Sequence, residues 1–288
     1  MITRQIQARL RKVGGVSVKR LLPEKDLDGI GPFIYFDHFG PVDVAAGKGI
    51  AVPPHPHIGL ATVTYLFSGE LVHRDSLGHE QMIRPGEVNW MTAGRGIVHS
   101  ERTDPGGAAA GGVIHGIQTW VALPPAAEQC PPDFANYRPA SLPCWQTDGA
   151  AVTVIAGRAY GETSPVRARS ELSYVDIGLE PGVEAPLPPE PPDLGIYLVS
   201  GAVTVGSVVL RPGALGLLAS RDRGLRVRAL ERSRLMLLGG APVESPPYLW
   251  WNFVASSRAR IEQAKSDWRN HRFPPVPGDA GRMDMPGE

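Results

Sequence analysis

The sequence predicts an all-β protein made of two copies of one β domain, finished by a short C-terminal α-helix. Three observations carry that prediction. The 288 residues include 34 glycines and 29 prolines, well above the usual combined share of about 12%, which suits short strands joined by tight turns. Turn signals recur at even spacing through the first half. Two stretches also recur in order: Tyr65-Leu-Phe-Ser-Gly-Glu-Leu-Val72 reads against Tyr197-Leu-Val-Ser-Gly-Ala-Val-Thr204, and Ile83-Arg-Pro-Gly86 against Leu210-Arg-Pro-Gly213. Together they indicate a duplicated domain.

In the first copy, Ser68-Gly69, Asp75 to Gly78, Pro85-Gly86 and Gly94 to Gly96 mark turns. Between them lie β-leaning segments at 61–67, 71–74, 80–84 and 88–92. Helical crossovers of a dozen residues do not fit in these gaps, so a sandwich or small barrel is expected rather than a parallel α/β layer. Pro124-Pro125, Pro131-Pro132, Pro139 and Pro143 then break the pattern, as in an inter-domain linker, with room for one helical turn at 126–129. A second β-rich region runs from about Val152 to Pro242. Ser256-Ser257 offers a cap for a helix over 256–271, whose Ile261, Ala264 and Trp268 form one apolar stripe. Pro274-Pro275 stops it, and the Gly/Pro-rich tail is expected to be mobile. The domains therefore read as 1–124, a linker over 125–144, and 145–288 including the helix and tail.

Composition excludes several classes. Lys+Arg 29 against Asp+Glu 29 leaves zero formal charge, so no overall basic field attracts nucleic acid. Arg221, Arg223, Arg226, Arg228, Arg232 and Arg234 alternate along the chain and read as a solvated face. No apolar run reaches the length of a membrane span, and Met1 to Leu10 lacks the pattern of a secretory leader. A cytoplasmic location follows as the expectation. Cys130 and Cys144 are too few for a disulfide scaffold and are expected as free thiols.

The histidines are unevenly placed. Of eight, none lies between His115 and His271, so the chemistry is assigned to the first copy. Pro53-Pro-His55-Pro-His57 sets two imidazoles at i and i+2, on one face of an extended chain. Val98-His99-Ser-Glu101 repeats the spacing with a histidine and a carboxylate. Two strands meeting inside the domain would bring His55, His57, His99 and Glu101 to one divalent transition metal. Such donors suit Fe(II), Ni, Co, Cu, Mn or Zn alike. Of the others, His73 and His79 flank a turn and are expected in solvent, His38 is expected to fix a loop, and His271 to be exposed. His115 is placed to line a cavity or support the ligands. In the second copy, Leu187, Pro189, Arg226 and Arg228 stand near the corresponding places, so only the first copy has this donor set.

The sequence resembles the pirin family of two-domain cupins. The resemblance rests on Phe36-Asp-His-Phe-Gly-Pro41, His55-Pro-His57, Thr62-Val-Thr-Tyr65, Trp90-Met-Thr-Ala-Gly-Arg-Gly-Ile-Val-His99-Ser-Glu101, and His115-Gly-Ile-Gln118 with Trp120. It implies two jelly-roll barrels in tandem, a bicupin, with one metal held by His55, His57, His99 and Glu101. Ala61 stands where many pirins carry Glu, which leaves Glu101 as the sole carboxylate of the implied set.

The resemblance implies two kinds of function. The first is a quercetinase-like dioxygenase, opening a flavonol-like aromatic substrate with O₂, with Glu101 as general base. Val63, Tyr65, Trp90, Ile97 and His115 are its candidate cavity residues. The alternative is a metal- and redox-dependent regulatory protein that binds a protein partner without turnover; a small-molecule isomerase is a third option. Two barrels in one chain complete a bicupin without a second subunit, so a monomer is expected.

Overall fold

The computed structural model describes residues 1–45, 48–103, 111–189, 191–218, 224–243 and 245–287. The first-copy strands and their flanks are β1 (Ile2–Gln7), β2 (Arg9–Val13), β3 (Val16–Leu22), β4 (Phe33–Val44), β5 (Ala51–His57), β6 (Leu60–Ser68), β7 (Leu71–Asp75), β8 (Glu80–Ile83), β9 (Val88–Thr92), β10 (Ile97–Arg102), β11 (Gly112–Ala122) and β12 (Asp133–Tyr137). The second copy holds β13 (Cys144–Thr147), β14 (Ala150–Ala159), β15 (Glu162–Thr163), β16 (Leu172–Leu179), β17 (Glu184–Pro186), β18 (Asp193–Ser200), β19 (Val203–Val205), β20 (Val208–Leu210), β21 (Ala214–Leu218), β22 (Arg226–Ala229) and β23 (Ser233–Gly240). A hairpin, β24 (Tyr248–Trp250) and β25 (Phe253–Ala255), leads into the helix α1 (Arg258–Arg269).

The duplication is plain in the topology. One large sheet runs β12-β9-β6-β11-β4-β3-β2 and the other β1-β21-β18-β23-β16-β14-β13. The small sheets run β5-β10-β7-β8 and β17-β22-β19-β20. The strand order is the same in both copies, with Ser68-Gly69 and Ser200-Gly201 turning at equivalent places, both glycines at positive φ. The fold is thus all-β with paired sheets in tandem and a C-terminal helix; the ladders form separate sheets rather than one closed barrel.

By contacts the chain forms two compact units. The apolar unit contains 1–9, 20–35 and 139–242; the histidine unit contains 10–19, 36–138 and 243–288. The core of the apolar unit mixes large-sheet residues such as Val175, Ile196 and Leu237 with small-sheet residues such as Val203, Val205 and Val227. In the histidine unit Val18, Phe39, Leu66 and Ile114 of the large sheet meet Val52, Leu71 and Ile83 of the small one.

Four local expectations need amending. Strand β12 forms between the prolines of 125–144 and pairs antiparallel with β9, Asp133 against Thr92 through Tyr137 against Val88. No proline falls inside it, so its backbone donors stay available. The helical turn is a 3₁₀ turn at Pro125–Ala127. His38 lies within β4 rather than in a loop, and is buried. The tail is packed: Val276 and Met285 are buried beside Ile261 and Trp268. The Met283 amide donates to the Pro54 carbonyl at 2.9 Å, and Trp268 Nε1 donates to the Met283 carbonyl at 3.1 Å. Its glycines and prolines preclude a regular element but not specific anchors.

Other expectations hold. Ser257 caps α1, its Oγ accepting the Arg260 amide at 3.3 Å, and Ile261, Ala264 and Trp268 are buried. Cys130 and Cys144 are free, and His271 is exposed. Arg226 pairs with Glu184, Arg232 with Glu180 and Arg234 with Asp176, so those arginines form a neutralised face. Arg221 and Arg223 lie outside the described residues. Among the described residues, no helix is long and apolar enough to cross a membrane.

The tail is fastened by a bidentate ion pair, Arg102 Nε and an Nη donating to the two Asp279 oxygens at 2.7 and 2.8 Å. The guanidinium, opposed by burial, lowers the Asp279 carboxyl from 3.8 to about 2. A depressed carboxylate stabilises the fold above its unfolded pKa and loses that contribution as pH falls through the folded value. Stability is therefore expected to drop between about pH 4 and pH 2, and Asp279→Asn to cost about 1–2 kcal/mol at pH 7. Urea titrations across that range check both: the variant should lose less than the wild type on acidification.

Candidate metal centre

Strand β10 pairs antiparallel with β5, His99 facing His55 and Ile97 facing His57. Directly opposite side chains on such a pair lie about 4.5–5.5 Å apart at Cβ. The period of two adds His57 to the same face as His55. The alternate positions point away: Ile58 and Val98 pack against Phe253, Ile261 and Trp268. A register shift between His99 and Glu101 sets Glu101 against Val52.

Two glycines hold these strands close to their neighbours. Gly59, just after His57, has φ +68, and a Cβ there would sit 1.9 Å from the Val254 carbonyl oxygen. Gly94, ahead of β10, has φ +53, and its Cβ would meet the Cys130 carbonyl oxygen at 2.1 Å. Any side chain at either position would push the hairpin β24–β25 or the 130s segment away.

The three rings converge. Their centroids are 4.9 Å apart for His55–His57, 4.4 Å for His55–His99 and 5.0 Å for His57–His99. One nitrogen from each lies within 4.8 Å of the others, and all three residues are buried. Each ring is anchored on one side. His55 Nδ1 donates to the Pro53 carbonyl at 2.9 Å, the Asn252 backbone favours protonation of His57 against its burial, and His99 Nδ1 lies 3.3 Å from His73 Nδ1. On the other side, His57 Nδ1 and His99 Nε2 are buried with no hydrogen-bond partner among the described residues. Burial, reinforced by the neighbouring imidazoles, lowers the pKa of His57 and His99 well below 6.5. Burial also lowers His55, against the Pro53 hydrogen bond and the nearby Glu101 charge. Three neutral imidazoles with lone pairs aimed at one point form a donor set for a divalent transition metal.

Glu101 lies outside that three-nitrogen group. It is buried, and its carboxylate accepts the Gln118 amide at 2.8 and 2.7 Å and the Thr64 hydroxyl at 3.0 Å. Sequence reading did not single out Gln118 or Thr64 as supports. The usable signal was the alternation Thr62, Thr64 and Gln118, Trp120 toward the site. Trp120 packs edge-on against His57, centroids 5.2 Å apart.

A cleft of about 430 Å³ including its open mouth adjoins Glu101. It is lined by Val13, Val16, Val18, Asp37, Phe39, Ile50, Val52, Thr64, Leu71, Glu101 and Gln118. The candidate wall residues Val63, Tyr65, Trp90, Ile97 and His115 are absent from this lining. Because side chains alternate along β6, Thr64 in the lining sends Val63 and Tyr65 to the opposite face, and Trp90 pairs with Val63 across to β9. His115 bonds to His38 instead, Nε2 to Nε2 at 2.7 Å; burial and then His115 lower His38 to about 3. His73 is buried rather than solvated, while His79 is exposed.

Comparison with known proteins agrees with this geometry. The family profile described as Pirin matches residues 15–121, and that described as the Pirin C-terminal cupin domain matches 174–274. A pirin-like protein of Caulobacter vibrioides is 45% identical, covering 99% of this chain and 96% of that one. Pirin of Homo sapiens is 32% identical over 93% and 92% of the two chains. The crystal structure of a quercetin 2,3-dioxygenase from Acinetobacter baumannii superposes with a TM-score of 0.88 at 35% identity, covering 99% of this chain and 96% of that one.

Elemental analysis of purified protein tests the centre. About one transition-metal ion per chain is expected in the wild type, and about a tenth of that or less in His99→Ala, since a tenfold loss of affinity needs only about 1.4 kcal/mol and the variant lacks one of three converging nitrogen donors.

Proposed function

The chain belongs to the pirin family, and from that premise we propose that it is a metal-dependent dioxygenase of the quercetinase type. Its substrate would be a flavonol-like aromatic, opened with O₂. The observation that carries this reading is the convergence of three buried neutral imidazoles beside a largely apolar cleft that ends at a carboxylate. The likeness to the Acinetobacter baumannii quercetin 2,3-dioxygenase supports it.

His55, His57, His99 and Glu101 would hold the ion, with Fe(II) the first candidate. When bound, such an ion supplies Lewis acidity toward a substrate hydroxyl and one-electron chemistry toward O₂. The protein's own contribution is legible in its side chains. Val16, Val18, Phe39, Ile50, Val52 and Leu71 offer an apolar wall for a flat ring system and exclude water from it. Asp37, Thr64 and Gln118 are the polar groups able to orient hydroxyls. Glu101 Oε2 or Oε1 would receive the substrate's hydroxyl proton as general base, a role worth about 10²–10⁴-fold. Gln118 donates to both of those oxygens, so a turn of its amide controls how exposed the base is.

The finer assignments join the same reading. Each sheet pair would be one jelly roll of a bicupin, the repeat copies drawn mainly from 1–124 and 145–288 around the 125–144 connection, with β1 counted in the second sheet pair and the closing hairpin, helix and tail in the histidine unit. A cytoplasmic monomer needing no nucleic acid or membrane completes the proposal.

Turnover decides it. Protein reconstituted anaerobically with Fe, Mn, Co, Ni or Cu is mixed with quercetin and air, and loss of the flavonol absorption band is followed. Catalysis well above free metal is expected for at least one ion, and Glu101→Gln should lower kcat about 10²-fold or more while the variant still holds metal. Turnover no faster than free metal across all five ions would reject the quercetinase reading. A redox-dependent protein partner would then favour the regulatory alternative.

A further inference from the structure

His73 and Asp75 form a buried pair behind the metal centre that none of the ligand assignments uses. Both lie on β7, two residues apart and on one face, with Asp75 opposite His99 in the β10 ladder. Their exposures are 2% and 0%. His73 Nε2 is 3.1 Å from Asp75 Oδ2, and His73 Nδ1 is 3.3 Å from His99 Nδ1.

The order of protons along this chain follows from the chemistry at its ends. A carboxylate only accepts, so the proton between His73 and Asp75 sits on His73 Nε2. With that single proton on Nε2, the His73 Nδ1 is an acceptor, and His99 bonds there through a proton on its own Nδ1. That leaves His99 Nε2 with a free lone pair, and Nε2 is the buried nitrogen without a partner. Each link allows one direction, and the direction ends in a metal-ready nitrogen.

The pair is also held still. Asp75 Oδ1 accepts the backbone amides of Leu77 and His79 at 2.9 and 3.1 Å, and His79 Nδ1 lies 2.9 Å from Oδ2. The Phe134 ring stacks on His73, centroids 4.2 Å apart and planes 10° from parallel. Phe134 belongs to β12, the strand formed inside the proline-rich stretch, which gives that stretch a part in the site.

We propose that Asp75 and His73 are positioning residues, a carboxylate–imidazole relay that fixes the tautomer and ring orientation of His99 for metal binding. This rests on the metal reading of the His55, His57 and His99 cluster and deepens it. It applies to His99: His55 is oriented instead by the Pro53 carbonyl. Outer partners of this kind typically alter metal affinity about 10–100-fold when removed.

Three variants separate the relay from mere packing. His73→Leu keeps bulk but removes the acceptor. Asp75→Asn keeps an Oδ1 for the Leu77 and His79 amides yet turns an N–H toward His73, which reverses the relay. His73→Asn places Oδ1 near the old Nδ1 and restores an acceptor for His99. Co(II) is titrated into each apoprotein against a chromophoric chelator, and the visible absorption of the bound ion is recorded. His73→Leu and Asp75→Asn should bind Co(II) about 10–100-fold more weakly with shifted bands, while His73→Asn recovers most of the affinity. Long-range ¹H–¹⁵N spectra of the wild-type apoprotein, independent of any variant's folding, should place the His99 proton on Nδ1. Wild-type affinity and spectrum in both His73→Leu and Asp75→Asn, or a His99 proton on Nε2, would overturn the relay while leaving the metal site standing. A wild type that takes up no Co(II) would remove the metal reading itself, and the relay with it.

Discussion

The site depends on one backbone pairing, β5 against β10, with His99 facing His55. A one-residue slip would turn Pro56 and Val98 inward and the imidazoles outward, since side chains alternate with a period of two. The surrounding features resist that slip from several directions. Gly59 and Gly94 allow backbone contacts that a Cβ would forbid. Ile58 and Val98 are committed to the helix-side cluster. Strand β7 closes the other edge of β10 in regular register, and the tail binds both strands, at the Pro54 carbonyl and at Arg102. The proline-rich text around His55 matters here less for stiffness alone than for leaving the Pro53 carbonyl to orient a ring.

Such an arrangement costs stability. Three imidazoles are kept out of water in neutral form, and a buried acceptor left unsatisfied costs about 1–3 kcal/mol. His57 and His99 each have one. The compensation lies outside the site, in the apolar cluster around Leu66, Leu71 and Ile83 and in the aromatic cluster of Phe253, Trp268 and Phe273. The rings are asymmetric: anchored where a proton sits, open where a lone pair sits. A structural histidine ordinarily has both nitrogens satisfied, so the asymmetry marks a cluster able to coordinate a divalent transition metal.

Much of this was legible in residue order, and the failures have physical causes. His55, His57 and His99 could be grouped because a strand repeats every two residues and the spacing His-x-His puts two rings on one face. The duplication was visible where turns need glycine, at Gly69 and Gly201, because positive φ restricts the residue that fits. The terminal helix was readable from Ser257 and its apolar stripe. Parity misled where a strand was located but its phase was not: Thr64, not Val63 or Tyr65, faces the cleft. His73 looked solvated because it stands near a turn, yet the ladder with β10 and the ring of Phe134 bury it. Phe134 could not be anticipated at all, since prolines around 124–143 hid a strand whose partner lies some forty positions earlier. The tail was misjudged for a related reason: composition reports backbone freedom, whereas Arg102–Asp279 and the Trp268–Met283 contact are long-range.

The second copy supplies an internal control for what the fold requires. Strand β22 pairs with β17 as β10 pairs with β5, and here Ala185 faces Val227 while Glu184 faces Arg228. The inward residues join an apolar core with Val203, Val205 and Leu210, and the charged ones sit at the surface. The same strand order is therefore stable with no imidazole inside it, so the histidines of the first copy are not there to make the architecture. Nor does their burial improve it, since the aliphatic version satisfies every inward position without desolvating a polar ring. What distinguishes the two copies here is chemistry: one pair of strands turns aliphatic side chains inward, the other imidazoles, with an acid held by Gln118 at the edge of a cleft. In a duplicated chain that contrast separates the residues serving the fold from those serving the reaction more sharply than either copy would alone.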